Sequence, residues 1–176
     1  IGAGSAGCIL ANRLTADGKH TVCLLEAGPP DWNPYIHIPA GFIKTLTNPN
    51  INWLYQSEPS HWTGGRSIDV PRGKTLGGSS SINGHIYNRG QRMDFDSWSQ
   101  RGNRNWGYSD VLPYFQRCEQ RIGDADDLYR GREGNLKVTD LNYSHPLCEK
   151  FIEGAQQIGL PRNPDYNGKQ QEGISY

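Results

Sequence analysis

The alternation of apolar and polar positions divides the chain into a regular beginning, a long irregular stretch and a more helical second half. Residues 1–14 read as the end of a strand, a glycine turn and a helix whose apolar side carries Ala6, Ile9, Leu10 and Leu14, the recurrence of one helical face. Ala16-Asp17-Gly18-Lys19 closes that helix, with glycine where a left-handed cap belongs. Thr21-Val22-Cys23-Leu24-Leu25 is a short unbroken apolar run, which predicts a strand covered on both faces. These pieces make the start of a βαβ unit. From Gly28 to Asp69 the pattern dissolves: Pro29, Pro30, Pro34, Pro39, Pro49 and Pro59 forbid long regular elements. Long ordered excursions of this kind usually cover something. Trp53 and Tyr55 fit either the lining of a cofactor cleft or an ordinary core or surface role.

Helical patterning returns over Asp94–Gln100 and Ser109–Arg121. In the second of these Ser109 is placed to cap, Asp110 suits the first turn, Pro113 sits near the start, and Val111, Leu112, Tyr114 and Phe115 supply apolar contacts. Gly134–Leu141 alternates like a strand, and Pro146–Ile158 reads as an amphipathic helix that stops at Gly159. There are no internal repeats and no linker that divides the chain, so residues 1–176 are expected as one partial domain. The chain opens inside the glycine motif Ile1-Gly2-Ala3-Gly4 and stops without a turn signal, which marks it as an excerpt of something longer.

Composition narrows the chemistry. The 18 basic residues balance the 18 acidic ones, and no Lys/Arg run forms a face, so no nucleic-acid footprint exists and a small-molecule substrate is expected. No transmembrane segment is visible. Cys8, Cys23, Cys118 and Cys148 lack CxxC spacing, and Cys8 and Cys23 fall in apolar segments, so reduced core thiols are expected. His20, His37, His61, His85 and His145 are scattered, so no metal is assigned.

Gly2-Ala3-Gly4-Ser5-Ala6-Gly7 is a GxGxxG turn. Its first glycine makes the bend, its second admits a pyrophosphate to the backbone, and its third lets helix pack on strand. The helix N-terminus then offers unpaired N–H groups to the phosphates. Glu26 closes the apolar run about 20 residues on, where a carboxylate accepts from the ribose hydroxyls. These residues specify a dinucleotide without choosing between NAD and FAD, and Glu26 disfavours NADP. A second block, Arg72-Gly73-Lys74-Thr75-Leu76-Gly77-Gly78-Ser79-Ser80-Ser81-Ile82-Asn83-Gly84-His85-Ile86-Tyr87-Asn88-Arg89-Gly90, brings many small residues close to something polar. Leu76, Ile82, Ile86 and Tyr87 require burial and argue against a flexible linker.

This block resembles the first signature of the glucose-methanol-choline (GMC) oxidoreductases. Leu24-Leu25-Glu26-Ala27-Gly28-Pro29, Asn105-Trp106-Gly107-Tyr108 and Asn167-Gly168-Lys169-Gln170-Gln171-Glu172-Gly173 agree in order and spacing, so the similarity spans the whole chain. Within the family it is similar to choline dehydrogenases and bacterial flavin alcohol dehydrogenases. The resemblance implies an α/β fold, α+β overall: a Rossmann-like FAD-binding domain of the GMC type, incomplete here. It implies that Gly2, Gly4, Ser5, Ala6 and Gly7 hold the pyrophosphate and that Glu26 and Ala27 hold the adenosine ribose. Leu76, Gly78, Asn83, Gly84, His85 and Ile86 would lie along the isoalloxazine and ribityl chain, with Trp53 nearby. Some members tether the flavin through a histidine where this chain has Ile82, so FAD is expected to be non-covalent and His85 a packing or polar-contact residue.

The reaction so implied is oxidation of a small primary alcohol by hydride transfer to flavin N5, choline dehydrogenase-like, with oxygen or a quinone-type acceptor taking the electrons. Aliphatic or polyether alcohols remain open as substrates. So does a non-redox relative such as a hydroxynitrile lyase or photodecarboxylase, and behind these an NAD-dependent dehydrogenase. The family's acid/base pair is expected outside these residues, so no catalytic residue is assigned. A cytoplasmic or peripherally membrane-associated location is expected.

Overall fold

A computed structural model describes residues 1–176, which form two compact units, Ile1–Ile86 and Tyr87–Tyr176. In the first unit α1 runs Ser5–Thr15, and Gly18 sits at φ +69°, its N–H donating to the Thr15 carbonyl at 3.0 Å. Helix and cap therefore match the sequence pattern. The apolar side of α1 does not: Ile9, Leu10 and Leu14 are all more than half exposed, and Cys8 and Cys23 are exposed free thiols rather than core residues. Helical spacing predicts which residues share a face, and a face is buried only where another element lies over it.

The run Thr21–Leu25 belongs to no ladder. Its burial alternates, with Val22 and Leu24 half-buried and Thr21, Cys23 and Leu25 exposed, so it is covered on one side where two were expected. Its backbone is held at one end, where the Gly2 N–H donates to the Leu25 carbonyl at 2.7 Å.

The proline-rich stretch folds into short pieces: α2 (Pro34–His37), a 3₁₀ turn at Pro39–Gly41, α3 (Phe42–Thr45), and a hairpin of β1 (Tyr55–Gln56) with β2 (Asp69–Val70). With so little ladder available, buried side chains satisfy the main chain instead. Asn52, 2% exposed, donates from Nδ2 to the Leu46 carbonyl and accepts at Oδ1 from the N–H groups of Leu54 and Arg72. Ile51 and Ile82 are buried beside Thr45 and Thr75 in this unit's interior.

The second unit contains α4 (Arg92–Gln100), α5 (Tyr108–Cys118), β3 (Glu119–Arg121), β4 (Leu136–Val138) and α6 (Pro146–Gln157). β3 and β4 pair in parallel, and the strand expected over Gly134–Leu141 is confined to its middle. The segment read as one helix to Arg121 turns into β3 at Glu119. Its cap is also displaced: Gly107 precedes the helix, and the Asp110 carboxylate accepts from the Gly107 N–H at 3.1 Å, leaving Ser109 inside the first turn. Asp94 does the same for Gln91 at the start of α4. α4 and α5 meet through aromatic rings, Phe95 lying edge-on to Trp98 and to Phe115 with centroids 5.6 Å apart in each case. Such pairs contribute about 0.5–1.5 kcal/mol beyond the area they bury. α6 buries Ile152 and Ala155 and is followed by Gly159 at φ +94°, as the sequence predicts.

Candidate functional site

The two glycine-rich stretches of the first unit meet. Gly4 and Gly77 form a parallel bridge, the Gly77 N–H donates to the Ala3 carbonyl at 2.8 Å, and a Cβ on Gly78 would stand 3.0 Å from the Gly4 Cα. Close approach depends on missing side chains at two further points. A Cβ on Gly7 would lie 1.9 Å from the Gly2 carbonyl oxygen, and one on Gly28 would lie 1.9 Å from that of Lys74. Neither can be accommodated without moving backbone.

Around this junction the groups left over are main-chain donors. α1 has no side-chain cap at Gly4 and no acidic residue in its first turn, so the amides of Ser5, Ala6 and Gly7 face the helix entrance without an internal acceptor. Uncapped N–H groups and the positive end of the helix suit an anion. A pyrophosphate therefore fits the residues present.

Glu26, expected as a ribose acceptor, has a structural task as well. Its Oε2 accepts from the Ala3 N–H at 2.8 Å and its Oε1 from the Gly28 N–H at 3.0 Å. Each carboxylate oxygen carries a second lone pair, so both remain able to accept from hydroxyls. The sequence pattern located Glu26 but gave no sign of these bonds, because both donors belong to the backbone.

The remaining expected residues fall into two groups. Gly78 is buried and Leu76 is 42% exposed, both at the junction. Asn83, Gly84, His85 and Ile86 are exposed, Ile86 at 80% despite its apolar side chain. Within that segment His85 holds φ +58°, a conformation that costs a non-glycine residue about 1–2 kcal/mol, and its N–H donates to Asn83 Oδ1 at 3.0 Å. Strain of this kind collects where a surface is shaped for a ligand. Ala27 is exposed beside Glu26. Trp53 stacks on Tyr55 at 5.8 Å with the rings 6° from parallel, and the Lys74 ammonium lies 4.7 Å above the Trp53 ring. Ile82, where some members of the resembled family carry a tethering histidine, is 2% exposed.

The second unit has a different kind of centre. Glu119 is fully buried and accepts from Arg89 Nη2 at 2.6 Å, from Arg130 Nε at 3.0 Å and from the Gly131 N–H at 3.0 Å. Arg130 also pairs with Asp165, and Asn167 accepts from the Arg89 N–H and donates to the Tyr87 carbonyl, each at 2.8 Å. Burial opposes the charge on Arg130, but its hydrogen bond to Glu119 and the nearby Asp165 outweigh it and raise its pKa. Burial likewise raises the Tyr108 hydroxyl's pKa, against the pull of Arg89 and Arg92. A cleft of about 450 Å³ adjoins this cluster, lined among others by Arg89, Arg92, Asp96, Tyr108 and Tyr166, and none of the residues expected to bind a cofactor lines it.

An uncapped helix entrance, a glycine turn and an acidic residue closing the next segment are the features of a Rossmann-type dinucleotide turn. The family model described as GMC oxidoreductase matches residues 1–176, and the chain belongs to that family. It is 43% identical over 176 residues to an alcohol dehydrogenase (acceptor) of Pseudomonas putida, covering 100% of this chain and 32% of the relative. It is 47% identical over 174 residues to an oxygen-dependent choline dehydrogenase of Brucella ovis, covering 99% and 32%. The chain thus spans about a third of the length of these relatives. Among solved structures, pyridoxine 4-oxidase from Mesorbium loti superposes with a TM-score of 0.86 at 35% identity, over 98% of this chain and 34% of that one. A formate oxidase superposes with a TM-score of 0.81 at 25% identity, over 96% and 31%. The fold is therefore the FAD-binding part of a GMC flavoenzyme, with helices and small sheets mixed as observed.

Proposed function

We propose that this chain supplies the FAD-binding part of an oxidoreductase that converts a small primary alcohol, choline-like or aliphatic, to its aldehyde. The observation that carries the reading is the docking of the second glycine block on the first, through the Gly77 N–H to the Ala3 carbonyl. That junction joins a segment suited to a pyrophosphate with one suited to a ring. When bound, FAD supplies the hydride acceptor at its N5 position. The protein's part is to bind and orient. The amides of Ser5, Ala6 and Gly7 bind the pyrophosphate, Glu26 and Ala27 bind the ribose, and Leu76, Gly78 and Asn83–Ile86 line the ribityl and ring with Trp53 beside them. Gly2 and Gly4 set the turn.

Non-covalent attachment is part of the proposal. Ile82 has no nucleophilic atom, and its side chain is buried. The names of the relatives support an alcohol substrate, and oxygen or a quinone-type compound would take the electrons. The test uses the full-length protein. It should purify with the visible absorption of oxidised flavin, release that flavin on acid precipitation, and bleach anaerobically with choline or an aliphatic primary alcohol. A colourless protein, or a yellow one that no alcohol reduces, would overturn the reading.

A further inference from the structure

Glu26 grips two backbone N–H groups, and the second glycine block hangs from carbonyls close to them, one on the same residue and one on the residue that follows. On one side it accepts from the Ala3 N–H, and the Ala3 carbonyl accepts from the Gly77 N–H at 2.8 Å. On the other it accepts from the Gly28 N–H, and the carbonyl of the following residue, Pro29, accepts from Thr75 Oγ1 at 2.9 Å and from the Leu76 N–H at 3.2 Å. Thr75 is fully buried and Ala3 is 2% exposed, so water has little access to these two residues. Close packing backs the same arrangement, since a Cβ on Gly28 would strike the Lys74 carbonyl.

We infer that Glu26 is a positioning residue for Thr75–Gly77, the segment that leads to the ring end of the cofactor site, in addition to any contact it makes with the ribose. The inference rests on the FAD reading above for the name of the ligand but not for the clamp itself, which consists of this chain's own atoms. One carboxylate fixes both acceptors on which the block is suspended. Charge-assisted bonds to backbone amides are about twice as strong as neutral ones, so replacing the carboxylate by an amide weakens both anchors together. In Glu26→Gln one of the two N–H groups also meets an NH₂ donor instead of an acceptor.

The test compares parent and Glu26→Gln full-length proteins in two ways. Amide hydrogen exchange in the flavin-free proteins is expected to speed up about tenfold at Leu76 and Gly77 in the variant, not only at Ala3 and Gly28. Binding is then measured with FAD and with its 2′,3′-dideoxyadenosine analogue, which lacks both ribose hydroxyls. A clamp predicts that the variant loses about tenfold in affinity for both ligands. A residue acting only through the ribose predicts that the loss disappears with the analogue, and that result, or unchanged exchange at Leu76 and Gly77, overturns the inference. Should Glu26→Gln not fold, the parent flavin-free protein decides alone: slow exchange at Ala3 and Gly28 supports the clamp, and fast exchange there rejects it. A parent protein that does not take up FAD at all would sink the functional reading while leaving the exchange arm to judge the clamp.

Discussion

Helix α1 in the first unit and helices α4 and α5 in the second begin in opposite ways. α4 and α5 cap themselves, with Asp94 and Asp110 reaching back to the N–H groups of Gln91 and Gly107, so their entrances are closed. α1 begins at Gly4 with no side-chain cap and no acid in its first turn. The same contrast runs through the two units. Around the glycine turns, backbone meets backbone and one carboxylate serves main-chain donors. In the second unit, Glu119, Arg89, Arg130 and Asp165 are held by side-chain charge. A helix entrance that leaves its donors free suits an anion, whereas one that caps itself uses them.

Changes that exchange these two habits should have graded effects. The largest is expected from Gly7→Ala, whose Cβ would meet the Gly2 carbonyl oxygen at 1.9 Å. The turn cannot keep its shape, and the full-length variant should purify without flavin absorption. Next comes Glu119→Gln, which leaves two buried guanidiniums facing a neutral amide. A loss of about 3–5 kcal/mol is expected in chemical denaturation. A denaturation midpoint equal to the parent's would show that the cluster is not what holds the second unit.

Giving α1 the cap it lacks tests the comparison directly. Ser5→Asp places a carboxylate in the first turn, where it stabilises the flavin-free helix by about 0.3–1 kcal/mol and competes with the pyrophosphate. Flavin dissociation measured by fluorescence should report roughly tenfold weaker binding, about 1.4 kcal/mol. The reciprocal change, Asp94→Ala, opens α4 and should cost about 1 kcal/mol in thermal or chemical unfolding without altering flavin content.

The smallest effect belongs to the exposed pair of Glu149 and Arg162. The Arg162 hydrogen bond holds the Glu149 carboxyl below its ordinary 4.5. A depressed carboxylate contributes above its unfolded pKa and loses that contribution as pH falls through the folded one. Arg162→Ala should therefore shift the melting temperature slightly at neutral pH, and the two melting curves should coincide in acid below both values.

The glycine junction was legible from the sequence because close backbone approach depends on residue type. The glycines at 2, 4, 7, 77 and 78 mark where backbones approach, and Gly18 and Gly159 mark the helix ends in αL geometry that the structure reproduces. Glu26 was legible as an acid closing an apolar run, but its two amide partners were not, since a backbone donor has the same identity at every position. The burial of Ile9, Leu10, Cys8 and Cys23 was misjudged because periodicity names a face without naming what covers it. Glu119 was missed for the converse reason. Glu-Gln-Arg reads as surface, and the partners that make burial tolerable arrive from residues 89 and 130. One signal was present: Arg89 and Arg130 are each followed by glycine, and Gly131 is so close to the Gln116 carbonyl that a Cβ would stand 1.9 Å from it.

The enclosed carboxylate also bears on how the second unit comes together. A carboxylate stripped of water is tolerable only when its counter-charges are in place, and here they come from two other stretches of the chain, at Arg89 and Arg130, the second of which is itself paired with Asp165. Partial assembly, with Glu119 desolvated against a single arginine, is strongly disfavoured. Segments around residues 89, 119, 130 and 165 should therefore gain and lose protease resistance as a group, in one step rather than strand by strand.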